Sequence, residues 1–274
     1  MLATGVVAAL LLIQAGAPTR VLLTNDNGID DPKLVALARE FARRSETWVV
    51  APAGNRSGTG NFLSVSQTGS LTVERRNLGP NIVAWAVDGY PADCVVLALL
   101  ALMKDRRPDV VVSGINGGAN LGSDWMFSGT IGAARVAALA GVPALAVSGL
   151  DDDIPGAVSA AVRWVVELAG QPMVRSMAPL QYLTVSLPRV PPDSIQGVRL
   201  ADRAGLRSVP RFAEDSPGRW KIVGVDQTVV APAPDSDLSG WDAGYITIVP
   251  MRADEVDLAW LADLRRRHRT PVWR

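Results

Sequence analysis

The sequence predicts an α/β fold: a Rossmann-like three-layer core with a mainly parallel sheet, and a C-terminal extension of short strands plus a helix. Three observations carry this. Short Val/Leu/Ile runs alternate with segments of helical periodicity, the pattern of strands covered by helices on both faces. Turn-forming Asn, Asp and Gly residues follow those runs rather than interrupt them. Past about residue 185 the alternation gives way to prolines and isolated β-rich stretches.

Taken in order, VLLT is a first strand, and PKLVALAREFARR follows as a helix with Leu34, Leu37, Ala38 and Phe41 on one face. TWVVAP and NIVAWAV are further strands, the second leading into the apolar helix ADCVVLALLALM. DVVVSG passes through a Gly/Asn-rich loop to the helix SGTIGAARVAALAG, and PALAVSGL leads to the helix PGAVSAAVRWVVELAG. Beyond the proline cluster SLPRVPPD, the stretches IQGVRLA, RWKIVG and GYITIVPM read as shorter, more independent strands or hairpin arms. A last helix, about Asp254 to Arg267, has acidic residues at its start and arginines at its end, as the helix dipole favours. The expected division is a core over 20–185 and an extension over 186–274 that packs on the core or bridges subunits.

Residues 1–19 stand apart. They carry no charged side chain, and GVVAALLLIQAGA looks like an apolar h-region ending in a small-residue site at Ala15-Gly16-Ala17. This resembles a signal peptide without its usual basic start, and favours export to the periplasm or beyond. A first buried strand in a cytoplasmic protein is the alternative. The apolar stretch is short for a membrane span, so no stable membrane association is expected.

Composition excludes several chemistries. Twenty-seven basic residues balance twenty-seven acidic ones, which leaves no general electrostatic footprint for nucleic acid. The single Cys94 cannot form an intrachain disulfide or a thiolate cage, and reads as a buried, inert core residue. The single His268, within LRRRHR, makes a histidine-rich metal site or a Ser-His-Asp triad a poor fit. Oxygen chemistry remains.

Ligands of open α/β sheets bind beyond the carboxyl ends of the strands, so polar loops after apolar strands are informative. Three stand out: TNDNG, APAGNRSG and SGINGGANLGSDWMFSGT. Asp26 offers a carboxylate, and Asn27, Ser57 and Asn116 offer neutral oxygens, a set suited to a hard cation such as Mg²⁺ or Mn²⁺. Gly117, Gly118 and Gly122 permit an anion nest, and Ser128-Gly129-Thr130 opens a helix whose free N–H groups favour a phosphate. Each piece alone also has an ordinary reading: NDNG as a turn, NRSG as a loop, SGT as an N-cap.

Taken together and in order, LLTNDNG, VVAPAGNRSG, GYPADCV, PDVVVSGINGGANLG, FSGTIGAA, GVPALAVS and GYITIVPM resemble the SurE family of survival-protein-E nucleotidases, over roughly Arg20 to Met251. The resemblance implies a divalent-metal-dependent phosphomonoesterase acting on nucleoside 5′- or 3′-monophosphates. It implies metal ligands at Asp26, Asn27, Ser57 and Asn116; of these, Asp26, the one carboxylate, is the candidate to orient or deprotonate water. It further implies phosphate contacts at Asn120, Ser128, Gly129 and Thr130, and assembly as a homodimer or homotetramer. Three departures bear on this. Asn27 stands where the family has a second aspartate, Tyr90 where a threonine is common, and DDPKL where Ala-Pro-Gly-Ile is usual. Unit charges about 4 Å apart interact by roughly 4 kcal/mol at an effective dielectric near 20, so the loss of one carboxylate weakens cation binding. A catalytically weakened nucleotide- or phosphate-binding homologue is therefore the competing expectation. A dinucleotide oxidoreductase lacks its G-x-G-x-x-G after the first strand.

Overall fold

Residue alternation along the first strand sets the layers. In the computed structural model, which describes residues 18–150, 153–231, 233–255 and 266, β1 (Arg20–Thr24) sends Val21 and Leu23 to one face and Leu22 to the other. Both faces are buried because both are covered. On the first side lie α1 (Pro32–Phe41), through Leu34, Leu37 and Phe41, and α5 (Ala157–Ala169), through Val162 and Val165. On the second lie α3 (Pro91–Leu97), through Cys94 and Val95, and α4 (Gly129–Leu139), through Ile131 and Ala134. This is the expected three-layer arrangement. Cys94 is fully buried, and burial pushes its thiol well above the ordinary range, so it is inert.

The remaining strands of the core are β2 (Glu46–Pro52), β3 (Thr72–Arg76), β4 (Ile82–Asp88), β5 (Val110–Ser113), β6 (Ala144–Ser148) and β7 (Gln181–Ser186). Later in the chain come β8 (Val198–Leu200), β9 (Gly205–Ser216), β10 (Arg219–Ala231) and β11 (Ile246–Arg252). The short helices α2 (Val65–Thr68), α6 (Pro172–Arg175) and α7 (Asp237–Asp242) fill the connections. The large sheet has nine strands in the order β3-β4-β2-β1-β5-β6-β7-β11-β8. The run from β4 to β7 is parallel throughout, and only the β3–β4 and β11–β7 pairs are antiparallel.

The chain moves from β1 to β2 and β4 on one side, then crosses to β5 on the other side of β1. The β1–β5 boundary is therefore the topological switch point, the place beyond the strand ends where open α/β sheets bind ligands. Thr24 pairs with Ser113 at that boundary.

Of the C-terminal stretches expected as shorter, more independent strands or hairpin arms, GYITIVPM and IQGVRLA depart by joining the main sheet, and RWKIVG is a hairpin arm. GYITIVPM supplies β11, which pairs antiparallel with β7 and parallel with β8 and so extends the main sheet. Ile246, Thr247, Ile248 and Val249 are all buried, and a strand buried on both faces needs partners along both edges. RWKIVG belongs to a long hairpin, β9 with β10, that forms a separate two-stranded sheet. Residues 1–17 of the signal-like segment, and most of the helix expected from Asp254 to Arg267, lie outside the described residues. Among the described residues no helix is long and apolar enough to cross a membrane.

Integration of β11 into the core has a measurable consequence. Ile248 is 2% exposed and Leu100 is 72% exposed. Ile248→Ala is expected to cost about 2–5 kcal/mol in urea unfolding, while Leu100→Ala stays within about 0.5 kcal/mol of the native chain.

Candidate active site

Four parallel strands, β2, β1, β5 and β6, end side by side, and their loops build one polar edge. The loop after β1 is a locked turn. Buried Asn25 donates from Nδ2 to Gly28 O at 2.9 Å and accepts the Gly28 N–H at Oδ1 at 3.2 Å, which fixes the two residues between them. The loop after β2 is tied to it: Arg56 N–H donates to Asp26 O at 2.6 Å, and Ile29 N–H to Pro52 O at 2.8 Å. The loop after β5 is tied in turn, with Gly114 N–H donating to Thr24 O at 2.8 Å. Gly114 has φ +135°, and a Cβ there would stand 2.3 Å from Val147 O, so only glycine lets this loop leave beside β6.

Asp26 is the centre of the arrangement. Its side chain is buried, and it faces the N-terminus of α4: Oδ1 accepts from Thr130 Oγ1 at 2.9 Å and Oδ2 from Thr130 N–H at 3.1 Å. Burial raises the carboxyl above its ordinary value of 3.8, against the lowering effect of the Thr130 bonds, and the Asp31 charge adds to the rise. The ionised form is thus held by one threonine and a helix end, and is otherwise under-compensated.

The other expected ligands lie on the loops so tied. Asn27 Oδ1 is buried and accepts no hydrogen bond among the described residues. Thr24 Oγ1 and Ser113 Oγ, on the paired ends of β1 and β5, are likewise buried without a partner there. Asn116 Nδ2 donates to Gly118 O at 2.7 Å, which leaves its carbonyl oxygen for a ligand. Ser57 is exposed, its backbone N–H held by Asn55 Oδ1 at 2.8 Å. One carboxylate with several neutral oxygens is the donor chemistry of a hard cation that retains water. Among the described residues no cluster of three or more His, Cys, Asp or Glu side chains occurs.

The expected phosphate-side residues have partners of their own. Ser128 caps α4 by accepting the Ile131 N–H at 3.1 Å, and both donors of Thr130 are engaged by Asp26. Thr130 is accordingly a positioning residue for the carboxylate in this structure, and Gly129 is the residue of the trio that presents backbone N–H at the first turn. Asn120 Nδ2 donates to Ser148 Oγ at 2.7 Å, at the end of β6.

Two residues absent from the sequence expectations hold this loop. Arg203 donates to Asn120 O at 2.9 Å, to Thr184 Oγ1 at 2.7 Å and to Asp237 Oδ2 at 3.0 Å. Asp237 also accepts from Gly122 N–H at 3.1 Å and Ala204 N–H at 2.8 Å. Burial pulls the Arg203 guanidinium below its ordinary value, while Asp237 pulls it back. No local motif marks either residue; each is defined by a partner far away in sequence.

The fold and this edge define a Rossmann-like α/β protein with oxygen-rich loops at its switch point and a helix N-terminus against the Asp26 carboxylate. The chain belongs to the SurE family: the family model described as Survival protein SurE matches residues 21–209. It is 35% identical over 250 residues to a protein of Desulfatibacillum aliphaticivorans named 5′-nucleotidase SurE, a match covering 89% of this chain and 96% of that one. It is 37% identical over 262 residues to 5′-nucleotidase SurE 1 of Burkholderia lata, covering 90% and 95%. The crystal structure of the SurE protein from Aquifex aeolicus superposes with a TM-score of 0.72 at 25% identity, covering 90% of this chain and 98% of that one.

The Arg203–Asp237 pair generates a prediction. Asp237→Ala strands a buried cation, so it is expected to cost about 3–5 kcal/mol by urea denaturation. The loss is expected to shrink when Arg203 is also replaced, by methionine.

Proposed function

We propose that this chain hydrolyses nucleoside 5′- or 3′-monophosphates with the help of a divalent cation, Mg²⁺ or Mn²⁺. The observation that carries the reading is the buried Asp26 carboxylate between the switch-point loops and the start of α4, with the unpartnered Asn27 Oδ1 next to it in the chain. A carboxylate that burial disfavours and a buried oxygen with no donor both gain from a cation, so the residues fit the group. The relatives' name, 5′-nucleotidase, supports the nucleoside 5′-monophosphate part of that substrate class.

Asp26, Asn27, Ser57 and Asn116 would hold the ion. A bound Mg²⁺ or Mn²⁺ supplies positive charge that polarises a phosphoryl oxygen and makes water a better nucleophile. Asp26, the buried carboxylate at this edge, orients the attacking water and takes its proton as it adds to phosphorus. The bond from phosphorus to the ribose oxygen breaks, that oxygen takes a proton from solvent so that the nucleoside leaves as the alcohol, and Asp26 returns its own proton to solvent. Gly129 N–H at the start of α4, together with Asn120 and Ser128, stabilises the negative charge that develops on the phosphoryl oxygens. Ser57 serves as a ligand, because no histidine stands near it in sequence to make it a nucleophile. Asn27 keeps an oxygen where the family has a second carboxylate, and gives up one unit of charge.

The raised Asp26 value fixes the sign of a stability effect. A carboxyl whose folded value lies above its unfolded value of 3.8 favours the fold only while protonated, and that contribution is lost as pH rises through the folded value. The metal-free protein is therefore expected to lose stability as pH rises through the folded Asp26 value, above which the carboxylate that burial disfavours is ionised. Asp26→Asn is expected to raise the Tm of the EDTA-treated protein, to remove the Tm increase that Mg²⁺ or Mn²⁺ gives the native chain, and to lower phosphate release from AMP at least about a hundredfold. Asn27→Asp is expected to lower the Mg²⁺ concentration required for half-maximal release. Metal-independent turnover in the native chain, or turnover retained by Asp26→Asn, contradicts the reading.

A further inference from the structure

Large apolar side chains are exposed beside the site. Met126 and Phe127, 52% and 62% exposed, immediately precede Ser128, and Phe62, 38% exposed, lies on the loop that continues from Ser57. The two segments are joined. Gly60 N–H donates to Phe127 O at 2.9 Å, and Gly60 O approaches α4 so closely that a Cβ on Gly132 would stand 2.2 Å from it.

A second aromatic ring fixes the first. Tyr90 meets Phe62 edge to face, with centroids 4.7 Å apart and planes at 88°. The Arg56 guanidinium lies 5.2 Å from the Tyr90 ring centroid and pairs with Asp88 at 3.1 Å. Below them, the fully buried Asp93 carboxylate accepts the Tyr90 N–H at 2.9 Å, the Ser64 hydroxyl at 2.7 Å and the Val65 N–H at 3.0 Å. The same Arg56 binds the backbone of Asp26 through its N–H. The rings are thus held in register with the proposed reaction centre by short bonds.

Exposed apolar residues scattered singly are unremarkable, but a preorganised aromatic pair bordering a polar edge suits a ligand with one anionic end and one flat apolar end. The balanced charge of the chain argues for a single nucleotide rather than a strand. We propose that Phe62, braced by Tyr90 and flanked by Met126 and Phe127, is the stacking surface for the substrate's base, which makes this rim a specificity determinant; the inference rests on the nucleotidase reading above. Tyr90, one of the chain's departures from its family, acquires a role as the brace.

The test compares hydrolysis of AMP with that of ribose 5-phosphate, which keeps the sugar and phosphate and lacks the base, in the full-length native chain, Phe62→Ala and Phe62→Tyr. Loss of one stacking ring is expected to lower the AMP to ribose 5-phosphate ratio of kcat/KM about tenfold in Phe62→Ala, chiefly through KM, with the ratio retained in Phe62→Tyr. An unchanged ratio overturns the proposal, as does a Phe62→Ala chain that loses an oligomer while the ratio holds, which would assign the rim to a second copy. If neither ester is hydrolysed, the nucleotidase reading fails alone, and equilibrium dialysis with adenosine decides the rim. Adenosine binding that is lost in Phe62→Ala supports it, and binding that is absent or indifferent to Phe62 overturns it.

Discussion

The burial of one carboxylate at the start of one helix organises this protein. Asp26 sits at the end of β1, and Thr130 opens α4 more than a hundred residues later; two hydrogen bonds join them. Burying an ionised carboxylate is costly unless donors and positive potential meet it. The helix N-terminus supplies both through its free N–H groups and its dipole. The compensation is incomplete, since burial still raises the Asp26 proton affinity. That residual imbalance disfavours the ionised carboxylate in the metal-free chain and is what a bound cation would relieve, the usual tension between a stable fold and an active centre.

The rest of the molecule keeps that pair in register. The parallel strands align three loops along one edge, and backbone bonds from Arg56, Ile29 and Gly114 stitch the loops together. The C-terminal part contributes from a distance. Arg203 and Asp237 hold the backbone at Asn120 and Gly122, so the far end of the β5 loop is anchored to residues that the core pattern of the sequence does not reach. A buried ion pair of this kind adds little net stability over an apolar substitute, but breaking one partner is expensive, which is the behaviour of a device that fixes geometry.

The layers were legible because they follow from periodicity. Continuous Val/Leu/Ile runs and the Leu34, Leu37, Ala38, Phe41 stripe translate directly into buried strands and a covering helix. The polar loops were legible because oxygen-bearing residues after apolar strands have few other uses when several occur in order. Other features left no local mark. The edge strand β3, TVERR, is largely exposed, and β7, QYLTVS, is buried yet carries hydroxyls, so neither has a clean apolar signature. The place of GYITIVPM within the main sheet depends on which edges are free, a property of the assembled fold. The role of Thr130 as the holder of Asp26, and the Arg203–Asp237 clamp, are pairings across long sequence separations, which no residue pattern encodes. The Phe62–Tyr90 contact belongs with them.

Crystallographic location of Mn²⁺ by its anomalous scattering tests the central claim most directly. The account predicts one ion at the β1–β5 boundary with Asp26 among its direct oxygen ligands, and with Thr130 still bonded to the same carboxylate. An ion bound elsewhere, or one at the boundary from which Asp26 has turned away, would contradict it.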